Sequence, residues 1–235
     1  MSGTPPAIVQ ETFPESRTAT DAFIRDGMSP VELHKLRELI TQYAPARVLE
    51  IGMANRTSSV VIAHALRATD GHLTSIDPHQ TMPMPTGYAS AGVQAIQRIT
   101  TRHRLVEEYD YLALPRLVDA GERFDCILID GFHSFDLTLL DLYYADHLLV
   151  VGGLLVCHDS SSPAVYKALR WLEMNKSYTR LSPPLWSANM PFVQRLYHRI
   201  FSRQVREERR KYWQMLMAYR KQAARQMPEH VLTDF

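Results

Sequence analysis

Short, almost wholly apolar runs alternate along this chain with stretches of helical spacing. Val48-Leu49-Glu50-Ile51, Leu73-Thr74-Ser75-Ile76, Asp125–Asp130 and Leu154–Asp159 are bounded by breakers or charges and rich in branched side chains, which predicts buried strands. Arg104–Glu108 reads as a further strand. Ser29-Pro30 followed by Val31, Leu33, Leu36, Leu39 and Ile40 gives a cap, a first-turn proline and one apolar helical face. Further helices are expected over Val60–Leu66, around Val93–Ile99, at Pro115–Ala120, over Leu137–Leu148, and from Pro163 to Asn175, with Gly152-Gly153 turning into the fifth strand. Wholly apolar strands alternating with helices predict an α/β fold, a doubly wound, mostly parallel sheet of about seven strands covered by helices on both faces.

Beyond the fifth strand the pattern weakens. Tyr178–Leu181 and Phe192–His198 read as two short strands of an antiparallel edge, joined by a Pro-rich loop, although the second equally suits the start of the last helix. From about Arg203 to Gln226 the spacing is helical, with Val205, Tyr212, Leu216, Tyr219 and Ala223 along one face. The expected organisation is an aperiodic N-terminal arm over 1–28, the main domain over 29–200, and a basic amphipathic helix and tail over 201–235.

The first strand leads into chemistry. Gly52 permits a tight turn, and Thr57, Ser58 or Ser59 is placed to cap the next helix. Strand, glycine turn and helix N-terminus open a Rossmann-like nucleotide-binding βαβ unit, since free helix amides favour polar ligands. Asp77 ends the second strand, where a carboxylate accepts the hydroxyls of a ribose or, more plainly, caps the next turn. Asp130 and Asp159 end adjacent parallel strands, at the edge where open α/β sheets bind ligands. Two such carboxylates repel unless a proton or cation lies between them, and two carboxylates with waters suffice for Mg²⁺. His158 is expected to point away from Asp159 by strand alternation.

Composition narrows the classes. The chain has 235 residues, 46% hydrophobic, enough for one sizeable core. Cys126 and Cys157 both fall in apolar runs and read as buried free thiols of a reducing compartment. No secretory leader or membrane-length apolar run occurs, so a cytoplasmic location is expected. A net charge of +1 conceals ten Lys/Arg against two acids over residues 195–225. Placed on an amphipathic helix, that charge reads as a packing or homo-oligomer element with a solvated face, and it argues against a nucleic-acid partner.

EIGMANRTSS, SIDPH and FDCILIDGFHSFDLTLLDLYYADHLLVVGGLLVCHD together resemble the class I S-adenosylmethionine-dependent methyltransferases. The likeness is to the branch with Asp-Gly-x-His after the fourth strand, which includes bacterial O-methyltransferases of sugars and natural products. It spans roughly Ser29 to Tyr178. The resemblance implies S-adenosyl-L-methionine as cofactor, with an optional Mg²⁺ at Asp130 and Asp159. It places Glu50, Gly52, Ala54 and Ser58 beside the cofactor, Asp77 at its ribose, Tyr109 (with Asp110) near its adenine, and Asp130 between cofactor and substrate. Arg56 stands where the branch generally carries glycine.

The implied function is methylation of a hydroxyl on a small molecule or sugar. In that reaction alignment does most of the work and a base removes the hydroxyl proton. His133, three residues past the fourth strand, suits that role with an ordinary pKa of about 6.5, beside Asp130. A nicotinamide-dependent oxidoreductase is the alternative, disfavoured by the missing third glycine of the dinucleotide fingerprint. A non-catalytic nucleic-acid-binding module using the basic tail is the other.

Overall fold

The computed structural model describes residues 27–181 and 216–224, apart from residues 55, 85, 86 and 89. Helix α1 (Pro30–Tyr43) starts at a capping box: the Ser29 hydroxyl accepts from the Glu32 amide, and the Glu32 carboxylate accepts from the Ser29 amide at 2.7 Å. Ala44 closes it in the left-handed region. There follow β1 (Arg47–Ile51), α2 (Thr57–Leu66), β2 (His72–Ile76), α3 (Ala91–Gln97), β3 (His103–Val106), α4 (Asp110–Asp119), β4 (Phe124–Ile129), α5 (Phe135–Leu148), β5 (Leu149–Cys157), α6 (Pro163–Asn175), β6 (Tyr178–Arg180) and β7 (Met217–Lys221).

The strands form one sheet in the order β3-β2-β1-β4-β5-β7-β6. β1 to β5 run parallel, and β7 is antiparallel to both its neighbours. Strand alternation sorts the core into two layers. Val48, Cys126, Leu128, Leu154 and Val156 face α1 and α2, whereas Leu49, Ile127, Ile129, Leu155 and Cys157 face α4, α5 and α6. Both cysteines are buried and free, one in each layer. No helix among the described residues is long and apolar enough to cross a membrane.

Three expectations are corrected here. Met217–Lys221 is a strand, not part of a helix. It fits because an open slot between β5 and β6 satisfies its backbone on both sides, and tertiary pairing overrides the local period. Leu216 and Tyr219, assigned to the apolar face of a docking helix, are buried in the chain's own core. The remainder of the basic tail, the Phe192–His198 strand and the N-terminal arm up to residue 26 lie outside the described residues.

Second, Gly152-Gly153 does not turn between elements but lies inside β5, which begins at Leu149. Gly152 has φ +81 and the β4–β5 register shifts there, so the glycines absorb a bulge. Third, no side chain caps α2. Its N-cap is Arg56 at φ 67, and the Ser58 and Ser59 hydroxyls are turned inward instead.

Candidate functional site

The strand order reverses between β1 and β4, and this opens a crevice at their C-terminal ends. Gly52, at φ +85, makes the crevice geometrically feasible. A Cβ there would stand 2.3 Å from the carbonyl oxygen of Asp130, so only glycine lets the loops after β1 and β4 meet back to back. The resulting cleft encloses about 600 Å³ out to its open mouth. Gly52, Ala54, Asp77, Tyr109 and Asp130 all line it, with Asp110, Gly131 and Phe132 completing the far wall.

Asp77 ties the two loops at the cleft together. Its Oδ2 accepts from the amides of Met53 (3.1 Å) and Ala54 (2.8 Å), and its Oδ1 accepts from that of His79 (2.9 Å). The last bond is an Asx turn, so Asp77 both caps its own turn and faces the cleft. The Tyr109 ring stacks on Tyr111 at 5.3 Å and takes the edge of His79 at 5.8 Å, giving the cleft one flat aromatic wall.

Glu50 and Ser58 do not reach the cleft. Glu50 points to the opposite layer, fully buried, and accepts from the hydroxyls of Ser58 (2.7 Å), Ser59 (2.6 Å) and Ser75 (2.7 Å). Burial pushes its carboxyl up to about 7 against the pull of those hydroxyls. It fastens the first turn of α2 to β1 and β2. Arg56 lies off the cleft wall too: a Cβ on Gly92 of α3 would meet the Arg56 Cβ at 3.2 Å, and burial, with Arg98 nearby, lowers the guanidinium's pKa.

At the edge next to the cleft, Asp130, His133, His158 and Asp159 converge, with one ligand atom of each within 4.8 Å of the others. His133 Nε2 is 2.6 Å from Asp159 Oδ2 and 3.9 Å from Asp130 Oδ1. The two carboxylates, Asp130 and Asp159, raise its pKa to about 9 despite partial burial. His158 is where alternation fails. Its Nδ1 lies 2.8 Å from Asp130 Oδ1 and 3.3 Å from Asp159 Oδ2, so it joins Asp159 rather than opposing it. β5 ends at Cys157 and Asp159 takes φ 50, which breaks the two-residue period and swings its carboxylate back.

Burial alone would discharge His158, yet Asp130, Asp159 and Glu32 together push its pKa up to about 12. Glu32 reaches in from α1 and stands 3.5 Å from His158 Nε2. Nothing local in the sequence joins Glu32 to this edge. The Ser-x-x-Glu signature marks the cap, but its carboxylate meets His158 only once α1 is packed on the sheet.

Cleft and charged edge thus sit at the switch point of a doubly wound sheet, where open α/β folds bind ligands. Residues 49–160 match a family model described as a methyltransferase domain, and the seven-stranded, mostly parallel sheet is a Rossmann-like fold. Three solved structures share the fold. The O-methyltransferase TomG from Streptomyces achromogenes, involved in tomaymycin synthesis and solved with SAM, is 16% identical with a TM-score of 0.64, over 94% of this chain and 92% of that one. An O-methyltransferase from Bacillus cereus in complex with SAH is 16% identical with a TM-score of 0.64, over 93% and 92%. An SAH-bound methyltransferase from Podospora anserina is 17% identical with a TM-score of 0.59, over 94% and 90%. No curated protein sequence matches the chain.

Proposed function

We propose that the protein transfers a methyl group from S-adenosyl-L-methionine to a hydroxyl of a small-molecule or sugar acceptor. The observation that carries this reading is the junction of the Gly52–Asp77 cleft with the Asp130, His133, Asp159 edge, which share Asp130 as a common wall. The cleft's residues fit such a cofactor: a glycine floor, an acceptor carboxylate, and an aromatic wall beside buried polar groups. Bound there, the cofactor supplies an electrophilic methyl on a sulfonium. Asp77 has most of its lone pairs occupied by amides, with one site on Oδ1 left for a ribose hydroxyl.

His133 is the base that takes the acceptor's proton. It is half exposed and reachable, unlike the buried His158. With its pKa near 9 it is an imidazolium at neutral pH in the ligand-free protein and becomes a base as pH rises. Asp159 orients the ring through the 2.6 Å contact.

Mg²⁺ fits this edge poorly. The donor set is two carboxylates and two imidazoles, whereas Mg²⁺ demands oxygen ligands in near-octahedral array. Both carboxylates already face His158, whose imidazolium supplies the positive charge between them. We therefore assign no step to a metal.

The test uses turnover on an identified acceptor. Wild-type kcat/KM is expected to rise with pH toward about 9, because the folded pKa is raised and the base form is scarce below it. His133→Ala is expected to lose roughly 10²–10⁴-fold and to flatten that limb, with S-adenosylhomocysteine affinity unchanged by calorimetry. Chelators are expected to leave turnover intact. A full rate in His133→Ala rules out the base, and chelator-sensitive turnover restored by Mg²⁺ rules out the metal-free edge.

A further inference from the structure

The charged edge is braced from its buried side by a residue that the proposed reaction does not use. Glu32 stands in the first turn of α1, where a capping box takes glutamate or glutamine alike. Here the residue is only 2% exposed, and glutamate is rarely buried that far unless a partner holds it. Its Oε2 accepts from the Ser29 amide at 2.7 Å, and the same oxygen stands 3.5 Å from His158 Nε2. That second distance is an ion pair rather than a tight hydrogen bond.

His158 is buried too, and its backbone amide donates to the Ile129 carbonyl at 3.0 Å, which seats the residue against the end of β4. Both ring nitrogens face carboxylates. Nε2 looks to Glu32, and Nδ1 to Asp130 Oδ1 at 2.8 Å and Asp159 Oδ2 at 3.3 Å. A nitrogen that faces carboxylate oxygens has to donate, so the ring carries both protons and is a buried cation. The two aspartate oxygens it holds are the ones His133 Nε2 meets from the exposed side, Asp159 Oδ2 at 2.6 Å and Asp130 Oδ1 at 3.9 Å. The carboxylates are thus clamped between a buried ring and a half-exposed one. Without the buried ring they repel each other, and the alignment of His133 goes with them.

We propose that His158, braced by Glu32, is a positioning residue that takes the place of a divalent cation between Asp130 and Asp159 and so fixes the carboxylates that aim His133. The inference rests on the reading of His133 as the base and deepens it. Neither Glu32 nor His158 reaches the acceptor. Their effect passes through Asp159 to the orientation of the His133 ring, so it falls on the rate of the bound complex and not on its formation.

The experiment has two arms on the full chain. Glu32→Gln keeps the cap and the shape of the side chain but removes its charge. It is expected to lower kcat roughly 10–100-fold, the usual loss when a group that orients an active side chain is removed, with acceptor KM and S-adenosylhomocysteine affinity nearly unchanged. The second arm needs no turnover: Mn²⁺ alone is titrated in, and the paramagnetic resonance signal of the free ion is followed. Wild-type protein is expected to bind no Mn²⁺ at the edge. His158→Ala, which empties the space between the carboxylates, is expected to gain one site, and adding Asp159→Asn is expected to remove it. A wild-type kcat in Glu32→Gln overturns the proposal, and so does a fall in melting temperature with kcat and KM changed together, which makes Glu32 a cap alone. A folded His158→Ala that gains no Mn²⁺ overturns it, as does wild-type protein that already binds an ion there and loses it in Asp159→Asn. If His158→Ala does not fold, the Glu32→Gln arm decides. Wild-type protein that binds no S-adenosylhomocysteine overturns the cofactor reading, and the Mn²⁺ arm then judges this proposal separately.

Discussion

Glu50 carries the sharpest consequence at the scale of single residues. Its carboxyl is raised from 4.5 to about 7, so the folded chain holds that proton more tightly than the unfolded one. The contribution to stability is complete below about 4.5 and is lost as pH climbs through about 7, a swing of about 3 kcal/mol if the unfolded group is unperturbed. Glu50→Gln is expected to match wild type near pH 4.5 and to exceed it by up to that amount at pH 8. Denaturant unfolding at the two pH values checks this, and parallel curves for the two proteins would contradict it. The residue also marks a limit of the sequence. Its neighbourhood in a strand-turn-helix motif suggested the ligand, but alternation sends position 50 to the layer away from the cleft, while positions 49 and 51 face the cleft side. Gly52, Ala54, Asp77, Tyr109 and Asp130 were readable because they follow strand ends, where the edge itself fixes their place.

Among the elements, β7 shows how a buried charge can fix an antiparallel strand. Lys221 is nearly buried; its ammonium donates to the carbonyls of Asp146 and Leu149 and pairs with Asp146 Oδ1 at 3.4 Å. Asp146 also accepts from the Tyr178 hydroxyl at 3.0 Å and faces Lys176 at 3.4 Å, so α5, β6 and β7 meet at one carboxylate. Lys221→Met is expected to cost less than the about 3–5 kcal/mol of a broken isolated pair, since Lys176 and Tyr178 remain. Adding Asp146→Leu is expected to recover part of the loss, readable as a coupling energy in a double-mutant cycle. Helical spacing concealed this strand. Leu216 and Tyr219 stand three apart, which suits a helix face, but the strand sends Leu216 and Ala218 to one core layer and Met217 and Tyr219 to the other. The first five strands were legible because most are apolar at their centres and bounded by breakers or charges, although β3 is short and only partly buried. The last depended on pairing partners far away in sequence.

For the whole molecule, the position of β7 alters what truncation does. A tail that merely docked could be removed with a change in association alone. Here β7 lies between β5 and β6, and among the described residues β6 pairs with no other strand. Deleting residues 216–235 is therefore expected to strip two strands from the sheet, uncover Leu155 and Cys157, and abolish cooperative unfolding. Near-ultraviolet circular dichroism and sedimentation check this, and a soluble, cooperatively folding fragment would contradict it. The charged edge shows the same dependence on distant contacts: Asp130, His133, His158 and Asp159 lie just beyond strand ends, whereas Glu32 joins them only through the packing of α1 on the sheet.

That strand order also bears on biosynthesis. A ribosome delivers β1 to β5 and α6 well before it delivers β7. Until then the nascent chain presents the bare hydrogen-bonding edge of β5, with Leu154 to Cys157 ready to recruit a stranger's strand. The interval between translating Cys157 and translating Met217 is the chain's period of greatest exposure to misassembly.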